Sequence, residues 1–260
     1  MRRRTAISLV IGTAVVAVTV GAFVRRWIWY GGETSTPPDE DAIFTVFAPG
    51  GRGSFFVNGP IGRVMARLMP IVERGVYDAA AEMIELQSED DLLDIGSGPG
   101  AFLATKATHV RRVVGIDPSP VMLREAERRL ADRIAAGTAR IVTGSAAALP
   151  FDDGEFSAAT AIFAPARFSE VARVLRPGGR FVMADPDPRM RDKEPSTSWG
   201  APRWGEADYR RKLEEAGFTD VTVRFVGSAL LMAGHKPPAS VPGERVQADE
   251  REPVAGAAGA

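Results

Sequence analysis

The sequence predicts an α/β fold: a doubly wound, mostly parallel sheet of seven strands with an antiparallel last strand. Short apolar runs alternate with stretches of helical periodicity, which is typical of parallel strands joined by helices. Only Gly227 and Ser228 separate the last two runs, and such a short turn predicts a hairpin that adds an antiparallel strand. With 260 residues, 45% of them hydrophobic and 25% charged, the chain can form one such domain with appendages.

The predicted strands are short apolar runs bounded by glycine, proline or charged residues. They are residues 91–95, 112–116, 140–143, 157–163, 180–184, 221–226 and 229–233. Apolar residues at helical spacing predict helices over 101–108, 120–134, 168–175 and 206–216, and another that begins at Val76. On the second of these, the predicted apolar stripe is Leu123, Ala126, Leu130 and Ile134. The turn Arg176-Pro177-Gly178-Gly179 separates the helix over 168–175 from the fifth strand.

Residues 5–24 form an uncharged apolar segment of 20 residues. A helix of that length spans about 30 Å, the thickness of a bilayer's hydrocarbon core. Arginines precede the segment, and the residues RRWIWY at 25–30 follow it, as expected at a membrane boundary. We therefore expect a transmembrane anchor over residues 1–30, a linker over 31–60, the main domain over 61–236 and a disordered tail over 237–260. The alternative is a signal peptide cleaved after Ala22, although the apolar region of such a peptide is usually shorter.

Residues 61–72 (IGRVMARLMPIV) combine apolar side chains with interleaved arginines. This pattern has two interpretations. We expect a helix packed on the main domain, and the alternative is a helix that lies on a membrane or covers the active site.

Composition argues against several classes of site. The chain has no cysteine, which excludes disulfides, thiolate chemistry and cysteine-ligated zinc. Its two histidines, His109 and His235, are far apart in sequence, so we expect no metal site. A formal net charge of -1 gives no support to a nucleic-acid partner.

The most informative motif is LLDIGSGPG at residues 92–100, where a buried strand ends and a helix begins. Glycines at positions 96, 98 and 100 allow close approach of a ligand to the backbone and permit positive φ. The following helix start offers free N–H groups, and Asp94 lies where ligands bind in open α/β sheets. We therefore predict that Asp94, Gly96, Ser97, Gly98 and Gly100 bind a cofactor.

Four motifs together resemble the family of Rossmann-like S-adenosylmethionine-dependent methyltransferases, and most closely its small-molecule branch. LLDIGSGPG is similar to the family's first motif, and VVGIDPS at 113–119 to its second. GSAAALPF at 144–151 is similar to the third, and RVLRPGGR at 173–180 to the turn before strand five. The resemblance covers roughly residues 76–236, and the order and spacing of the motifs make it specific.

The resemblance implies that S-adenosylmethionine is the cofactor. Asp117 can accept both ribose hydroxyls, although Asp-Pro-Ser before a helix is also a good helix start. Asp94 is expected to order the glycine loop and to hold the methionine end. Pro118 and Met122 are placed on the cofactor, with Met122 on the adenine or, in the alternative interpretation, in the core.

The sequence departs from the family's pattern at two places. Ser145 stands where the family usually has an acid that binds the adenine amino group; Ser145 or the backbone of Ala146 is expected to take that role. The region of the fourth strand and the loop after it, residues 157–168, is compressed, and apolar residues at 161–164 replace the family's frequent acid or asparagine. We therefore expect an apolar, contracted acceptor pocket or a loss of catalysis.

The leading functional hypothesis is methyl transfer to a small or lipophilic acceptor by in-line displacement. A sulfonium is already activated, so alignment supplies much of the rate, and we assign no residue as a catalytic base. The first alternative is a degenerate S-adenosylmethionine-binding protein tethered to the membrane. The second is a nicotinamide-dependent reductase, since residues 96–101 also satisfy the loose pattern GxGxxA, but Tyr209 and Lys212 are wrongly placed for a proton-donor pair.

The predicted location combines the anchor with the cofactor. Three arginines before the apolar segment and two directly after it favour an N-terminus in the cytoplasm, which would place the domain outside the cell. S-adenosylmethionine is expected inside the cell. We therefore expect a single-pass protein of the cell membrane with its domain in the cytoplasm.

Overall fold

The computed structural model describes residues 58–189 and 204–239, together with Phe44. The predicted anchor, most of the predicted linker and the tail beyond residue 239 lie outside the described residues. Within the described ranges, no helix is long and apolar enough to cross a membrane.

The described residues form a seven-stranded sheet with the strand order β3-β2-β1-β4-β5-β7-β6. The strands are β1 (Asp91–Ile95), β2 (Arg112–Asp117), β3 (Ala139–Thr143), β4 (Phe156–Ile162), β5 (Leu175–Pro186), β6 (Thr219–Val226) and β7 (Ala229–His235). β1 to β5 pair in parallel, whereas β7 runs antiparallel to both β5 and β6. The predicted mostly parallel sheet with an antiparallel last strand is confirmed.

Helices cover both faces of the sheet. They are α1 (Gly59–Val72), α2 (Arg74–Ile84), α3 (Ala101–Thr105), α4 (Pro120–Arg129), α5 (Ala131–Ala135), α6 (Phe168–Val174) and α7 (Glu206–Glu215). All five residues of β1 are buried. Within β1, the adjacent residues Leu92 and Leu93 belong to two different core clusters. The cluster of Leu92 includes residues of α2 and α3, and the cluster of Leu93 includes residues of α6 and α7. Burial on both faces explains why the adjacent residues Leu92 and Leu93 are both apolar.

Two predicted helices end earlier than their pattern indicated. The helix predicted over 101–108 stops at Thr105, and the one predicted over 120–134 is divided at Leu130. Leu130 has a non-helical backbone and only 3% exposure, whereas Ile134 is 37% exposed. The interruption changes the phase of the second segment, so Ile134 leaves the stripe that the sequence predicts.

β5 begins five residues before the predicted strand. Leu175 pairs with Phe156 and Arg180 with Ala158, so residues 176–179 lie opposite Ser157 alone. The predicted turn is therefore a bulge inside a strand, with Gly178 at φ +78°. Lys236 secures this bulge, because its N–H donates to the Gly179 carbonyl and its carbonyl accepts from the Gly178 N–H.

α1 begins inside the predicted linker, with Asn58 as its N-cap and Gly59 and Pro60 as its first residues. The helix packs against α4, α3 and α2, in agreement with a helix packed on the domain. Pro70 lies inside the helix and has no N–H to donate to the carbonyl of Ala66. The guanidinium of Arg129 on α4 donates to that carbonyl at 3.0 Å. One side chain thereby satisfies an acceptor that the proline leaves open and fixes α1 to α4.

Candidate functional site

The glycine loop connects β1 to α3 through three residues of positive φ. Gly96, Gly98 and Gly100 have φ of +65°, +51° and +72°, a region that other residues rarely occupy. A Cβ on Gly96 would lie 2.2 Å from the Cβ of Ala164, and one on Gly100 would lie 3.2 Å from the Cα of Ala126. Gly96 and Gly100 are therefore required both by the backbone conformation and by neighbouring residues. The predicted positive φ is confirmed, and the contact of these glycines with a cofactor stays a prediction.

Asp117 orders this loop from the end of β2. Its Oδ2 accepts a hydrogen bond from the Gly98 N–H at 2.9 Å, and its Oδ1 accepts one from the Ser119 N–H at 2.8 Å. The sequence assigned the ordering of the loop to Asp94, but the structure gives that contact to Asp117. Ser119 is also the N-cap of α4 and accepts from Met122 N–H, so the helix start is made by Ser119 rather than by Asp117. Each oxygen of Asp117 has a second lone pair that can accept a ligand hydroxyl.

Asp94 lies one strand away and has a different partner. Its Oδ1 accepts from the Thr160 hydroxyl at 2.7 Å, because β1 and β4 pair with Asp94 directly beside Thr160. Both side chains are buried, at 3% and 0% exposure. Sequence reasoning missed Thr160, although a single polar residue within the apolar run of β4 was a usable signal.

The pKa values of both carboxyl groups are raised towards neutral pH. Burial raises the pKa of Asp94 to about 7; the hydrogen bond from Thr160 opposes this rise, and the nearby charge of Asp117 adds to it. Burial likewise raises the pKa of Asp117 to about 6, opposed by the hydrogen bonds from Ser119 and Gly98. A cationic or hydroxyl-bearing ligand would favour the ionised forms of both groups.

Ser97 contributes to the loop through its backbone. Its N–H donates to the Ile116 carbonyl at 3.0 Å and its carbonyl accepts from the Gly100 N–H at 2.9 Å. Its hydroxyl is buried against β2, where a Cβ on Gly115 would come within 2.7 Å of it, and has no hydrogen-bond partner among the described residues. The Ser97 side chain therefore faces the sheet, and its predicted contact with a ligand is limited to the main chain.

The remaining predicted residues differ in burial and in hydrogen bonding. Pro118 is half-buried, and Met122 is fully buried in the first turn of α4, at 2% exposure. Ser145 is exposed, and its hydroxyl accepts from the Ala147 N–H at 3.1 Å. Ala146 is half-buried, and its carbonyl accepts from the Arg167 N–H. These positions follow β2 and β3 at the same edge as Asp117, and their contacts with a cofactor stay predictions.

α1 and α4 form the outer wall beside the glycine loop. The Ser119 hydroxyl donates to Asn58 Oδ1 at 2.8 Å, at the N-terminus of α1. Arg129 donates to the Pro99 carbonyl in the glycine loop at 3.1 Å and also to α1. Neither contact could be predicted from the local pattern, because both join residues that are distant along the chain.

The carboxyl ends of β4 and β5 form the other half of the crevice. Phe163 has φ +52°, a rare conformation for an aromatic residue, and its N–H donates to the Ala184 carbonyl at 2.8 Å. This turn places Ala164 against Gly96. The Tyr209 hydroxyl on α7 donates to Asp185 at the end of β5, and Trp204 packs edge-on against the Tyr209 ring. Burial raises the pKa of Asp185 to about 7, opposed by that hydrogen bond.

The residues of the β1 and β2 half fit a nucleoside joined to a cationic amino acid. A loop of glycine backbone permits close approach, Asp117 retains acceptor capacity for a diol, and Asp94 supplies a carboxyl beside the loop. No group of three His, Cys, Asp or Glu residues is placed to hold a metal ion within the described ranges. The β4 and β5 half offers apolar surface and one carboxyl group.

Comparison with known families decides the classification. Residues 92–179 match the family described as "Methyltransferase domain". Over these residues the chain is similar to a methyltransferase domain. The resemblance to the Rossmann-like, S-adenosylmethionine-dependent family that the four motifs predict is thereby confirmed.

Two enzymes are similar to this chain in sequence. A demethylmenaquinone methyltransferase from Tropheryma whipplei is 37% identical over 114 residues, which cover 41% of this chain and 46% of that protein. The erythromycin 3''-O-methyltransferase of Saccharopolyspora erythraea is 29% identical over 171 residues, 56% of each protein. The chain thus spans about half the length of these relatives.

Among solved structures, geranyl diphosphate C-methyltransferase from Streptomyces coelicolor A3(2) superposes with a TM-score of 0.55. It is 17% identical to this chain, and the superposition covers 64% of this chain and 77% of that one. At this level of identity the similarity shows a common fold for the methyltransferase domain and nothing about its acceptor.

Proposed function

We propose that the protein is an S-adenosylmethionine-dependent methyltransferase that acts on a small, lipophilic acceptor by in-line displacement. The observation that carries the proposal is the contact of Asp117 with the glycine loop, inside the segment that matches the methyltransferase family. The contact places a carboxyl with spare acceptor capacity beside a backbone that a ligand can approach closely.

The residues present would hold the cofactor in two parts. The two oxygens of Asp117 would accept the ribose hydroxyls, while the backbone of Gly96 and Gly98 would lie along the amino-acid part. Asp94 would face the ammonium group, which favours its ionised form. When bound, the cofactor supplies a methyl group on a positively charged sulfur, so the chain's task is to align the acceptor and to exclude water.

The acceptor would lie at the ends of β4 and β5. Residues 161–164, at the carboxyl end of β4, are apolar. The buried Tyr209 donates to Asp185, and the Trp204 ring packs against the Tyr209 ring. The relative named for demethylmenaquinone supports a small, lipophilic acceptor. Asp185 is the described carboxyl at the end of β5 that an acceptor in this half could approach.

We also propose that residues 5–24 anchor the protein in the cell membrane with the domain in the cytoplasm. The uncharged segment of 20 residues supports the anchor, and the requirement for an intracellular cofactor supports the orientation. A lipophilic acceptor dissolved in the membrane is consistent with both.

The test is transfer of a labelled methyl group by the full chain, reconstituted into lipid nanodiscs, to fractions of a membrane lipid and quinone extract. We expect label in a lipid or quinone fraction, and we expect Asp117→Asn to reduce the amount. Asp220→Asn is the matched control, because Asp220 is exposed on β6 and far from the crevice. The proposal fails if no fraction accepts label from a chain that binds S-adenosylhomocysteine.

A second candidate function is cofactor binding without turnover. Two observations favour it: Ala164 closes tightly on Gly96, and Ser145, which stands in place of an acid, is exposed with its hydroxyl already bonded. Calorimetric titration of the full chain with S-adenosylhomocysteine, together with the labelling assay, separates the two candidates. Binding without any labelled product supports the second, and turnover on any acceptor excludes it.

A further inference from the structure

The outward face of α1 is apolar in the described structure. Val64, Ile71 and Val72 are 52%, 69% and 41% exposed. At 100° per residue, Val64 and Ile71 lie on nearly the same side of the helix, opposite Gly62 and Ala66, which are buried against the domain. The small inner residues allow α1 to pack closely, so the large aliphatic side chains on the outside are not needed for that packing.

Exposed arginines border this apolar face. Arg63 and Arg67 lie on α1, and Arg74 follows at the start of α2. Over residues 59–74 the only acid is Glu73, and it accepts a hydrogen bond from the Tyr77 hydroxyl at 2.6 Å. The face thus combines aliphatic side chains with an excess of positive charge, a combination typical of helices that lie at the surface of anionic membranes.

We propose that the outward face of α1 docks on the surface of a membrane that contains anionic phospholipid. The sequence supports lipid over other occupants, because the apolar segment 5–24 is separated from α1 by the 34 residues 25–58. At about 3.3–3.6 Å per residue, 34 residues can span at most roughly 110–120 Å. An anchored chain would therefore hold α1 within reach of the bilayer at a high local concentration.

Docking would bring the candidate site next to the lipid. The inner side of α1 contacts the site through Arg129, which bonds both the Ala66 and the Pro99 carbonyls, and through the Asn58–Ser119 hydrogen bond. A helix with its side chains is about 10–12 Å across, so the glycine loop would lie about one helix diameter from the headgroups. This consequence rests on the proposed methyltransferase activity, whereas the docking rests on the proposed anchor and not on that activity.

The experiment uses the absence of cysteine from the chain. Ile71→Cys in the full chain is labelled with an environment-sensitive fluorophore, and Glu214→Cys serves as the matched control on α7, at the opposite face of the sheet. Each labelled chain is reconstituted into nanodiscs of phosphatidylcholine alone or of phosphatidylcholine with phosphatidylglycerol. Emission and quenching by a lipid-borne quencher are measured for both.

We expect a blue shift and quenching at position 71 with phosphatidylglycerol, and neither at position 214. Each arginine near an anionic surface adds about 1 kcal/mol, so Arg67→Gln should lower the ratio of docked to undocked chain roughly fivefold. High salt should have the same direction of effect, because it screens exposed charges.

Three results would overturn the proposal. The label at position 71 responds equally in both lipids, or not at all, in a chain that is demonstrably embedded in the nanodisc. Alternatively, the label is already blue-shifted without lipid, which would show that the chain itself covers α1. In the third case the shift depends on protein concentration, which would show a second copy on this face. Binding of S-adenosylhomocysteine, measured on the same samples, reports separately on the proposed function.

Discussion

The two halves of the crevice are built in different ways. At the ends of β1 and β2, three glycines and the contact of Asp117 with the Gly98 N–H form a surface made mostly of backbone. At the ends of β4 and β5, the structure is held by side-chain contacts: Ala164 closes on Gly96, and the buried Tyr209 donates to Asp185 and packs against Trp204. A backbone surface tolerates few sequences, whereas a side-chain surface can change with the acceptor. The first half therefore identifies the cofactor class, and the second leaves the acceptor open.

The largest effect should come from Gly96→Ala, where the two halves meet. The new Cβ would lie 2.2 Å from the Ala164 Cβ, in a residue at φ +65°. Left-handed backbone and overpacking together should lower the free energy of unfolding by about 2–4 kcal/mol, measured by urea denaturation. Gly98→Ala is the control, since it has a similar φ of +51° but meets only the Gly96 carbonyl oxygen, at 4.0 Å. Its loss should be about 1 kcal/mol.

The double variant Gly96→Ala with Ala164→Gly separates the two causes. Removing the Ala164 methyl group should restore the part of the loss that comes from overpacking and leave the part due to φ. If the double variant is no more stable than Gly96→Ala, then the Ala164 methyl group does not overlap the new Cβ. The close contact between the two halves of the crevice would then be wrong.

Asp117→Asn should have the next largest effect, on affinity. The variant loses a charged acceptor for ligand hydroxyls, and its amide group can accept only one of the two backbone N–H bonds. We expect the dissociation constant for S-adenosylhomocysteine to rise roughly 10- to 100-fold by calorimetry. Asp220→Asn, the exposed control, should leave it unchanged. Equal affinity in the two variants would remove Asp117 from the site.

The pH dependence of binding should follow Asp94 and Asp117. Their pKa values of about 7 and about 6 are raised by burial, and a ligand with an ammonium group and hydroxyls favours the ionised forms. Affinity for S-adenosylhomocysteine should therefore rise about tenfold from pH 6 to pH 8, with protons released on binding. A flat profile would show that neither carboxyl faces the ligand.

Thr160→Val sharpens this prediction, because valine has nearly the same shape and lacks the hydroxyl that lowers the pKa of Asp94. The midpoint of the affinity profile should move to higher pH. In the free chain the sign is opposite. A raised pKa in the folded state means that the contribution of Asp94 to stability is full below pH 4 and is lost as the pH rises through about 7.

The smallest effect on cofactor affinity should come from Tyr209→Phe, in the β4 and β5 half. The change removes the hydroxyl that donates to Asp185 and leaves the glycine loop untouched. We expect affinity for S-adenosylhomocysteine to change less than about twofold, while the labelling rate and its pH profile change because the pKa of Asp185 rises. A large loss of cofactor affinity would contradict the division of the crevice into two halves.

The sequence predicted the features that depend on local pattern. All seven strands, the hairpin at Gly227 and Ser228, the glycine loop and the position of Asp117 follow from apolar runs, turn residues and motif spacing. These features are local because a strand end, a positive φ and a helix cap are each set by a few neighbouring residues.

Features that depend on lateral register could not be predicted. The Asp94–Thr160 hydrogen bond joins residues 66 positions apart, and the Arg129 contact with Ala66 spans 63. The closing of Ala164 on Gly96 depends on the turn at Phe163, whose φ of +52° no sequence rule assigns to phenylalanine. The bulge in β5 likewise depends on pairing with β4, so a turn motif became part of a strand.

A crystal structure of the chain bound to S-adenosylhomocysteine tests directly whether Asp117 binds the cofactor, because it gives the distance between Asp117 and the ribose. We predict that both ribose hydroxyls lie about 2.5–3.0 Å from the Asp117 oxygens, with the Gly98 N–H still bonded to the same carboxyl group. A ribose bound elsewhere, or an Asp117 carboxyl covered by the glycine loop, would contradict the assignment of Asp117 to the ribose.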